Sequence, residues 1–142
     1  MITRNKTAPL GIPKLETKSS GQSLVELTLV LPILILILAG TLDLGRLLES
    51  YVTLTNAARE GARLGAETPT NPTGIKNQVI AEANGSGYTI TTSMITILTP
   101  SGTTSGNPIT VRINYNFQFV TFLMFAGAQT FPVQTSATMM IW

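Results

Sequence analysis

The sequence predicts an α+β protein in which one long N-terminal helix precedes a small antiparallel sheet. A charge-free run of sixteen residues, Leu27 to Leu42, predicts the first part of the helix. Apolar residues then recur at steps of three and four as far as Ala66, which continues the helix. From Ile109 to Phe119 apolar and polar residues alternate, and this period of two predicts a strand with one buried face.

The apolar run predicts a membrane span over about residues 22–42. A helix of 16 residues is about 24 Å long, whereas the hydrocarbon core of a bilayer is about 30 Å thick. Starting the span at Gln22 supplies the missing length but includes Glu26. The alternatives are a buried core helix, for which so small a chain has little cover, and a secretory signal, for which Ala39-Gly40-Thr41 is a poor cleavage site.

Pro32 lies inside this run and predicts a helix kink. Its ring removes one backbone donor and crowds the carbonyl of Thr28. Prolines are common in membrane helices without any role, and a kink could also let the segment unwind when it leaves lipid for a protein assembly. The sequence leaves both interpretations open.

The composition excludes most catalytic classes. Only 11% of the 142 residues are charged, and the chain has no histidine and no cysteine. Disulfides, thiolate or imidazole metal ligands and histidine-based triads are therefore excluded, and we expect no metal, no cofactor and no enzymatic activity. From Asn84 to Trp142 the only charged residue is Arg112, so no carboxylate pair can come from that half.

The charges are unevenly distributed around the apolar run. Residues 1–21 carry four cations against one carboxylate, while only Arg46 and Arg59 follow within twenty residues of the run. By the positive-inside rule, the N-terminus is expected in the cytoplasm and the C-terminal part outside. Without residues 1–21 the net charge of +2 becomes −1, so no basic stripe remains for a nucleic acid.

Glu26 is a carboxylate at the edge of the expected span. An acid at the centre of a bilayer costs about 3 kcal/mol, and less near its edge. It either reaches the headgroups as an interfacial acid or awaits a cationic partner. A free α-amino group made by cleavage just upstream would be such a partner.

Gly21-Gln22-Ser23-Leu24-Val25-Glu26, after a short basic leader and before an apolar helix, resembles the processing site of type IV-like prepilins. Further strings carry a more specific likeness to the TadE-like family of the tight-adherence (Tad) pilus systems, over roughly Gly21 to Ala66. They are Val25-Glu26, Leu29-Val30-Leu31-Pro32, Asp43-Leu44-Gly45-Arg46 and Asn56-Ala57-Ala58-Arg59-Glu60-Gly61-Ala62-Arg63.

This resemblance implies a pilin-like fold and a minor, membrane-anchored pilin or pseudopilin. A prepilin peptidase would cut the Gly21–Gln22 bond, and Glu26 would meet the new N-terminus of a neighbouring subunit during assembly. The implied partners are membrane lipid, the prepilin peptidase, other pilin-like subunits and the Tad pilus machinery. The implied location is the inner membrane, crossed once, or an extracellular pilus that takes part in adhesion.

The chain is expected to have three parts: a leader at 1–21, a helix at 22–66 and a small extracytoplasmic α+β domain at 67–142. Within the helix, residues 43–66 form an amphipathic stalk whose apolar face is expected to pack on the sheet. That face comprises Leu44, Leu47, Leu48, Tyr51, Leu54 and Ala58. Two rows of small residues at spacing four predict close helix packing, either against the chain's own sheet or against another subunit: Ala57, Gly61, Gly65 and Ala58, Ala62, Ala66.

Within the C-terminal domain, Thr68–Pro72 is expected to be a linker and Ile75–Ala83 a short helix closed by Gly85. Strands are expected at Tyr88–Thr92, Ser93–Leu98, Ile109–Phe119 and Thr130–Ile141, and Pro132 suggests either an edge strand or the start of a strand in the last of them. Val120–Ala126 is an apolar stretch that either fills the core or contacts a partner.

Three functions remain at this point. The first is the minor pilin-like subunit, and the second is a single-span, membrane-anchored binding or adhesive module that never polymerises. An enzyme would need a nucleophile–base pair, for which Lys76 is the nearest candidate base. Arg59, Glu60 and Arg63 are interpreted as a solvated helix face rather than a catalytic cluster.

Overall fold

A computed structural model of the chain describes residues 20–121, 127 and 129–142. The elements within these residues are α1 (Ser20–Glu67), α2 (Pro72–Gly85), a 3-10 helix (Thr92–Met94), β1 (Ile95–Leu98), β2 (Pro108–Gln118) and β3 (Thr130–Met140). A long apolar N-terminal helix with a three-stranded antiparallel sheet confirms the predicted α+β class. Most of the predicted leader, and residues 122–126 of the apolar stretch, lie outside the described residues.

The chain forms two compact units, which divide inside α1 between Ile35 and Leu36. In the first unit, the described residues are all helical and their side chains from Gly21 onward are exposed. The hydroxyl of Thr28 donates to the carbonyl of Leu24 at 2.8 Å, so this polar group is satisfied inside the helix. The helix assignment continues through Pro32, and the kink there stays a prediction.

In the second unit, α1 ends at Glu67, two residues before Pro69. The amide and the hydroxyl of Thr68 both donate to the carbonyl of Leu64, at 2.8 and 3.0 Å. Pro69 follows directly, and its ring disfavours a helical conformation at the residue before it. These bonds satisfy a carbonyl that the end of the helix would otherwise leave without a donor.

α2 begins earlier than the predicted helix. The side chain of Asn71 accepts the amide of Gly74 at 3.0 Å, and Pro72 occupies the first turn, where its missing N–H costs nothing. The linker is therefore shorter than the predicted Thr68–Pro72. At the other end, the amide of Tyr88 donates to the carbonyl of Ala83 at 2.9 Å, and Gly87 adopts a φ of 86°.

The predicted strand at Tyr88–Thr92 is wrong. These residues pair with no strand, and a 3-10 turn follows at Thr92–Met94. Their apolar side chains pack on the sheet instead: Ile90 is buried, and the Tyr88 ring meets the Tyr115 ring edge-on with 6.1 Å between centroids. A short alternating segment can bury its apolar residues without adding a strand.

The sheet has the order β1-β2-β3, and both of its pairings are antiparallel. The predicted alternation in β2 is confirmed, since Ile109, Val111, Ile113 and Phe117 are buried and the residues between them are not. β3 is an edge strand that begins at Thr130, so of the two positions that Pro132 suggested the structure has the edge strand and not the strand start. On the outer face, the hydroxyls of Thr110 and Thr138 lie 2.7 Å apart across the two strands.

The core lies between the sheet, α2 and the part of α1 that follows Ser50. The cluster comprises Leu54, Ala57, Ala58, Ala62, Ala66, Ile75, Val79, Ala83, Ile90, Ile95, Ile109, Val111, Ile113 and Ile141. Small residues on α1 face large branched residues on α2 and β2, which is how close-packed layers interdigitate.

The predicted sheet-facing side of α1 is partly wrong. Leu54 and Ala58 are fully buried, but Leu44, Leu48 and Tyr51 are 57%, 66% and 50% exposed. In the same part of the helix, the buried residues are Asp43 and Ser50. The hydroxyl of Ser50 donates to the carbonyl of Leu47 at 2.7 Å, so its burial leaves no unpaired donor.

Candidate functional site

The predicted processing site lies at the start of α1. Gly21, Gln22 and Glu26 are all helical and exposed, and no ion pair of Glu26 is formed within the part of the chain that the structure describes. The Gly21–Gln22 bond falls in the first helical turn, where amides lack intrahelical acceptors and the backbone opens most easily.

The helix that carries these residues can cross a membrane by length and composition. Its most apolar window has a mean hydropathy of 2.4, and none of that window is buried within the chain. A uniformly apolar helix with no protein cover places its side chains most favourably in lipid. An exposed apolar helix followed by a small helix-backed sheet fits a membrane-anchored protein.

The apolar run ends at a buried carboxylate, that of Asp43. One carboxylate oxygen accepts the amide of Val120 at 3.2 Å and the other accepts the amide of Thr121 at 2.7 Å. Asp43 is only 4% exposed. It therefore ties α1, at the end of the apolar run, to the segment that follows β2, a connection that the sequence analysis missed.

The amide of Thr121 is the largest cause that holds the pKa of Asp43 below its usual range, and the amide of Val120 and the charge of Arg46 act in the same direction. Burial opposes them, because it disfavours the charged form. The carboxylate contributes to stability fully above its unfolded pKa, and the contribution is lost as the pH falls through the lower folded pKa.

Replacing Asp43 with asparagine is expected to loosen the segment after β2. One amide then loses its acceptor, because the asparagine NH2 group is itself a donor. The midpoint of thermal unfolding in detergent should fall at neutral pH and approach that of wild type below about pH 4. Hydrogen exchange at Val120 and Thr121 should accelerate. An unchanged midpoint and unchanged exchange at neutral pH would show that the hydrogen bonds from Val120 and Thr121 to Asp43 do not stabilise this segment.

Glu60→Gln is the matched control for that experiment. Glu60 binds Arg63 through a bidentate pair with a shortest distance of 2.6 Å, which lowers the Glu60 pKa, but the Arg63 side chain is half exposed. Exposed pairs contribute about 0–1 kcal/mol. Arg63 also binds Glu67 at 2.8 Å, so this cluster is a hydrogen-bonded surface network.

Arg46 lies beside Asp43, with 3.4 Å between its Nη1 and Oδ1 of Asp43. The guanidinium carbon is 5.6 Å from the centroid of the Phe117 ring, which is a cation–π distance. The predicted Asp43–Arg46 surface pair thus involves a carboxylate that is buried rather than solvated. The burial of Asp43 depends on Val120 and Thr121, which lie more than seventy residues away in the sequence.

The rows of small residues lie where the sheet and α2 approach α1. Ala57, Ala58, Ala62 and Ala66 are fully buried in the core cluster. A Cβ atom added at Gly61 would collide with Cγ2 of Val79, and one added at Gly65 would lie 2.7 Å from Cδ1 of Ile109. The chain's own elements occupy this stripe.

A short apolar part of α1 beside β3 forms a different surface. Leu47, Leu48 and Tyr51 line a groove of about 270 Å³ together with Phe131 and Pro132 of β3. Phe131 is half exposed.

Among the residues that the structure describes, no three acidic, cysteine or histidine side chains come together as a metal site would require.

The comparisons with known proteins address this N-terminal region. The family model described as TadE-like protein matches residues 21–63, which confirms the resemblance drawn from the sequence. No curated protein and no solved structure shows significant similarity to the chain. The match includes Gly21, Glu26, Asp43 and Gly61.

Proposed function

We propose that the chain is a membrane-anchored minor pilin or pseudopilin of a Tad-type pilus or secretion apparatus. The observation that carries the proposal is the likeness to TadE-like proteins over residues 21–63, on a helix whose most apolar window contains no buried residue in the part of the chain that the structure describes. The chain crosses the inner membrane once, with its N-terminus in the cytoplasm and its C-terminal domain outside. It contributes to pilus biogenesis and surface adhesion, in the membrane or within the filament.

The processing step rests on the spacing of Gly21 and Glu26. A prepilin peptidase cuts the Gly21–Gln22 bond on the cytoplasmic side, and the new α-amino group belongs to Gln22. Glu26 lies one helical turn further on and is exposed, so it can meet the amine of a neighbouring subunit. A carboxylate and an ammonium group attract each other strongly where lipid and protein exclude water.

The exposed apolar groove supports contact with other pilin-like subunits outside the membrane. Leu48, Tyr51 and Phe131 are each at least half exposed. The domain is also poor in charged residues. Exposed apolar patches mark surfaces that contact other proteins or a membrane. The surface lies on the helix that continues from the apolar run.

Processing is expected to yield a mature chain that begins at Gln22. Intact-mass analysis of membrane-extracted protein should show the loss of residues 1–21 in cells with an active prepilin peptidase and the full chain without it. Gly21→Leu should block the cut, because the peptidase site loses its glycine, whereas Gly45→Leu, a control in open space, should be cut normally. A reporter enzyme that works only outside the cytoplasm should be active when it is fused after Trp142.

Two outcomes would contradict this proposal in different ways. A mature start near Thr41 would identify the apolar run as a secretory signal. An uncleaved chain in cells with active peptidase would favour the anchored binding or adhesive module that never polymerises.

A further inference from the structure

The sheet is oriented along the second part of α1, so that its two ends lie at opposite ends of the domain. The amides of Val120 and Thr121, directly after β2, donate to Asp43 near the start of that part of the helix. Near the other end of the helix, a Cβ atom added at Gly65 would lie 2.7 Å from Cδ1 of Ile109, at the start of β2. β2 therefore runs back along α1, and its C-terminal end lies beside the end of the apolar run.

The two ends of the domain differ in polarity. The far end carries the loop of residues 101–107, which are all serine, threonine, glycine or asparagine, and the first six of them are exposed. The near end carries Val120, which is 47% exposed and begins the apolar sequence Val120–Ala126. Val120 lines a recess of about 200 Å³ together with Ala39 and Leu42 of α1, and Leu42 is 62% exposed. The exposed apolar surface of the run thus continues onto the domain.

The depth of this end relative to a bilayer follows from its position on α1. Residues 36–42 of the apolar run belong to the same compact unit as the sheet. Asp43 follows the last of them by one residue, or about 1.5 Å along the helix, whereas the headgroup layer is about 5–8 Å thick. Val120 and Thr121, which donate to Asp43, therefore lie within the headgroup layer when the run fills the hydrocarbon core. This step rests on the proposed membrane span of residues 22–42.

We propose that the end of the domain after β2 rests on the extracytoplasmic face of the membrane, with the side chain of Val120 in contact with lipid. A valine gains free energy when it leaves water, and its surface is continuous with that of Leu42, which lipid covers in an anchored chain. That continuity favours the bilayer over a second protein as the occupant.

Asp43 has a specific role in this arrangement. Non-helical backbone is costly beside lipid, because each polar group without a partner costs several kcal/mol where water is excluded. The two oxygens of Asp43 accept the amides of Val120 and Thr121, so neither of these donors is left unpaired. The buried carboxylate thereby allows the segment after β2 to lie against the membrane.

The test uses single-cysteine variants, because the chain has no cysteine of its own. Val120→Cys, Gln118→Cys and Thr103→Cys each receive a nitroxide label, and the full chain is placed in vesicles of phosphatidylethanolamine and phosphatidylglycerol. Electron paramagnetic resonance then measures how often the label collides with oxygen, which concentrates in lipid, and with a water-soluble nickel chelate. The ratio of oxygen to nickel collisions should be severalfold higher at position 120 than at position 103, in the exposed far loop. At position 118, about 7 Å of strand before Val120, it should be intermediate.

Equal ratios at positions 120 and 103 would overturn the proposal. Few collisions with either reagent at position 120 would also overturn it, because protein cover excludes both reagents whereas lipid excludes only the nickel chelate. If the label at position 120 disturbs the bonds to Asp43, faster hydrogen exchange at Thr121 will reveal it. The comparison of positions 118 and 103 then decides.

Leu42→Cys separates failure of this inference from failure of membrane anchoring. A high ratio at position 42 with a low ratio at position 120 contradicts only the contact between the domain and the membrane. A low ratio at both positions contradicts the membrane span itself. Neither result depends on pilus components, since the measurement uses the purified chain alone.

Discussion

Replacing Glu26 with leucine is expected to abolish incorporation into the pilus apparatus while membrane insertion is retained or improved. A carboxylate is the most costly residue of the expected span, so its removal favours insertion. In a subunit bundle, however, the Glu26 carboxylate and the α-amino group of a neighbouring chain each lose several kcal/mol of hydration. Their attraction offsets this cost only when both are present.

The damage therefore exceeds what the pair contributes, since removal of Glu26 leaves the amine of the neighbour buried without a partner. The measurement is co-purification with pilus components, together with N-terminal sequencing of the extracted chain. Cleavage should be normal, because the Gly21–Gln22 bond is unchanged. Glu82→Gln, which alters an exposed carboxylate on α2, is the matched control and should assemble like wild type.

Assembly of a processed Glu26→Leu chain at the wild-type level would show that Glu26 is an interfacial acid. Glu26→Gln distinguishes charge from polarity, because the amide keeps an acceptor oxygen but attracts an ammonium group far less strongly. An assembly defect in both variants, with normal cleavage, is the result expected for an ion pair.

Most of the secondary structure could be predicted from the regular spacing of apolar residues. The strict alternation of β2 predicted its buried face, because a strand in an antiparallel sheet exposes every second side chain. The charge-free run predicted the first part of α1, because sixteen consecutive residues without a charge are typical of a membrane-spanning helix. Tyr88–Thr92 failed because the same short alternation suits a loop that packs on a sheet, and only the pairing partners distinguish the two.

The face of α1 that meets the sheet was harder to predict, because apolar spacing reports which residues avoid water and not what covers them. Leu44 and Leu48 are apolar yet more than half exposed, whereas Asp43 and Ser50 are polar and buried. A signal was present: the row of small residues, continued toward the N-terminus at steps of three and four, passes through Leu54, Ser50, Leu47 and Asp43. The partners of Asp43 lie 77 and 78 residues away and could not be read from local sequence.

Among the glycines of α1, Gly61 is the one where an added Cβ atom would meet its neighbours most closely. Val79 of α2 and Val111 of β2 both face the position that a Cβ atom would take, and both valines are fully buried. A branched side chain held on two sides has little room to move, so an added side chain must displace α2 or β2.

Gly61→Leu is therefore expected to destabilise the domain by about 3 kcal/mol, the upper end of the usual cost of overpacking a core. Gly45→Leu is the matched control, because nothing lies within 4 Å of its added Cβ. There the same change should stabilise the helix by about 0.8 kcal/mol, the difference in helix propensity. Unfolding by denaturant in detergent micelles, followed by circular dichroism, measures both.

A double-mutant cycle locates the collision. Gly61→Ala alone and Val79→Ala alone should each destabilise the domain, the second because it leaves a cavity. Combined, they should cost less than the sum of the two, since the smaller Val79 side chain makes room for the new methyl group at position 61. If the two costs simply add, and Gly61→Leu is as stable as Gly45→Leu, then α2 does not pack on this stripe, which is left available to another subunit.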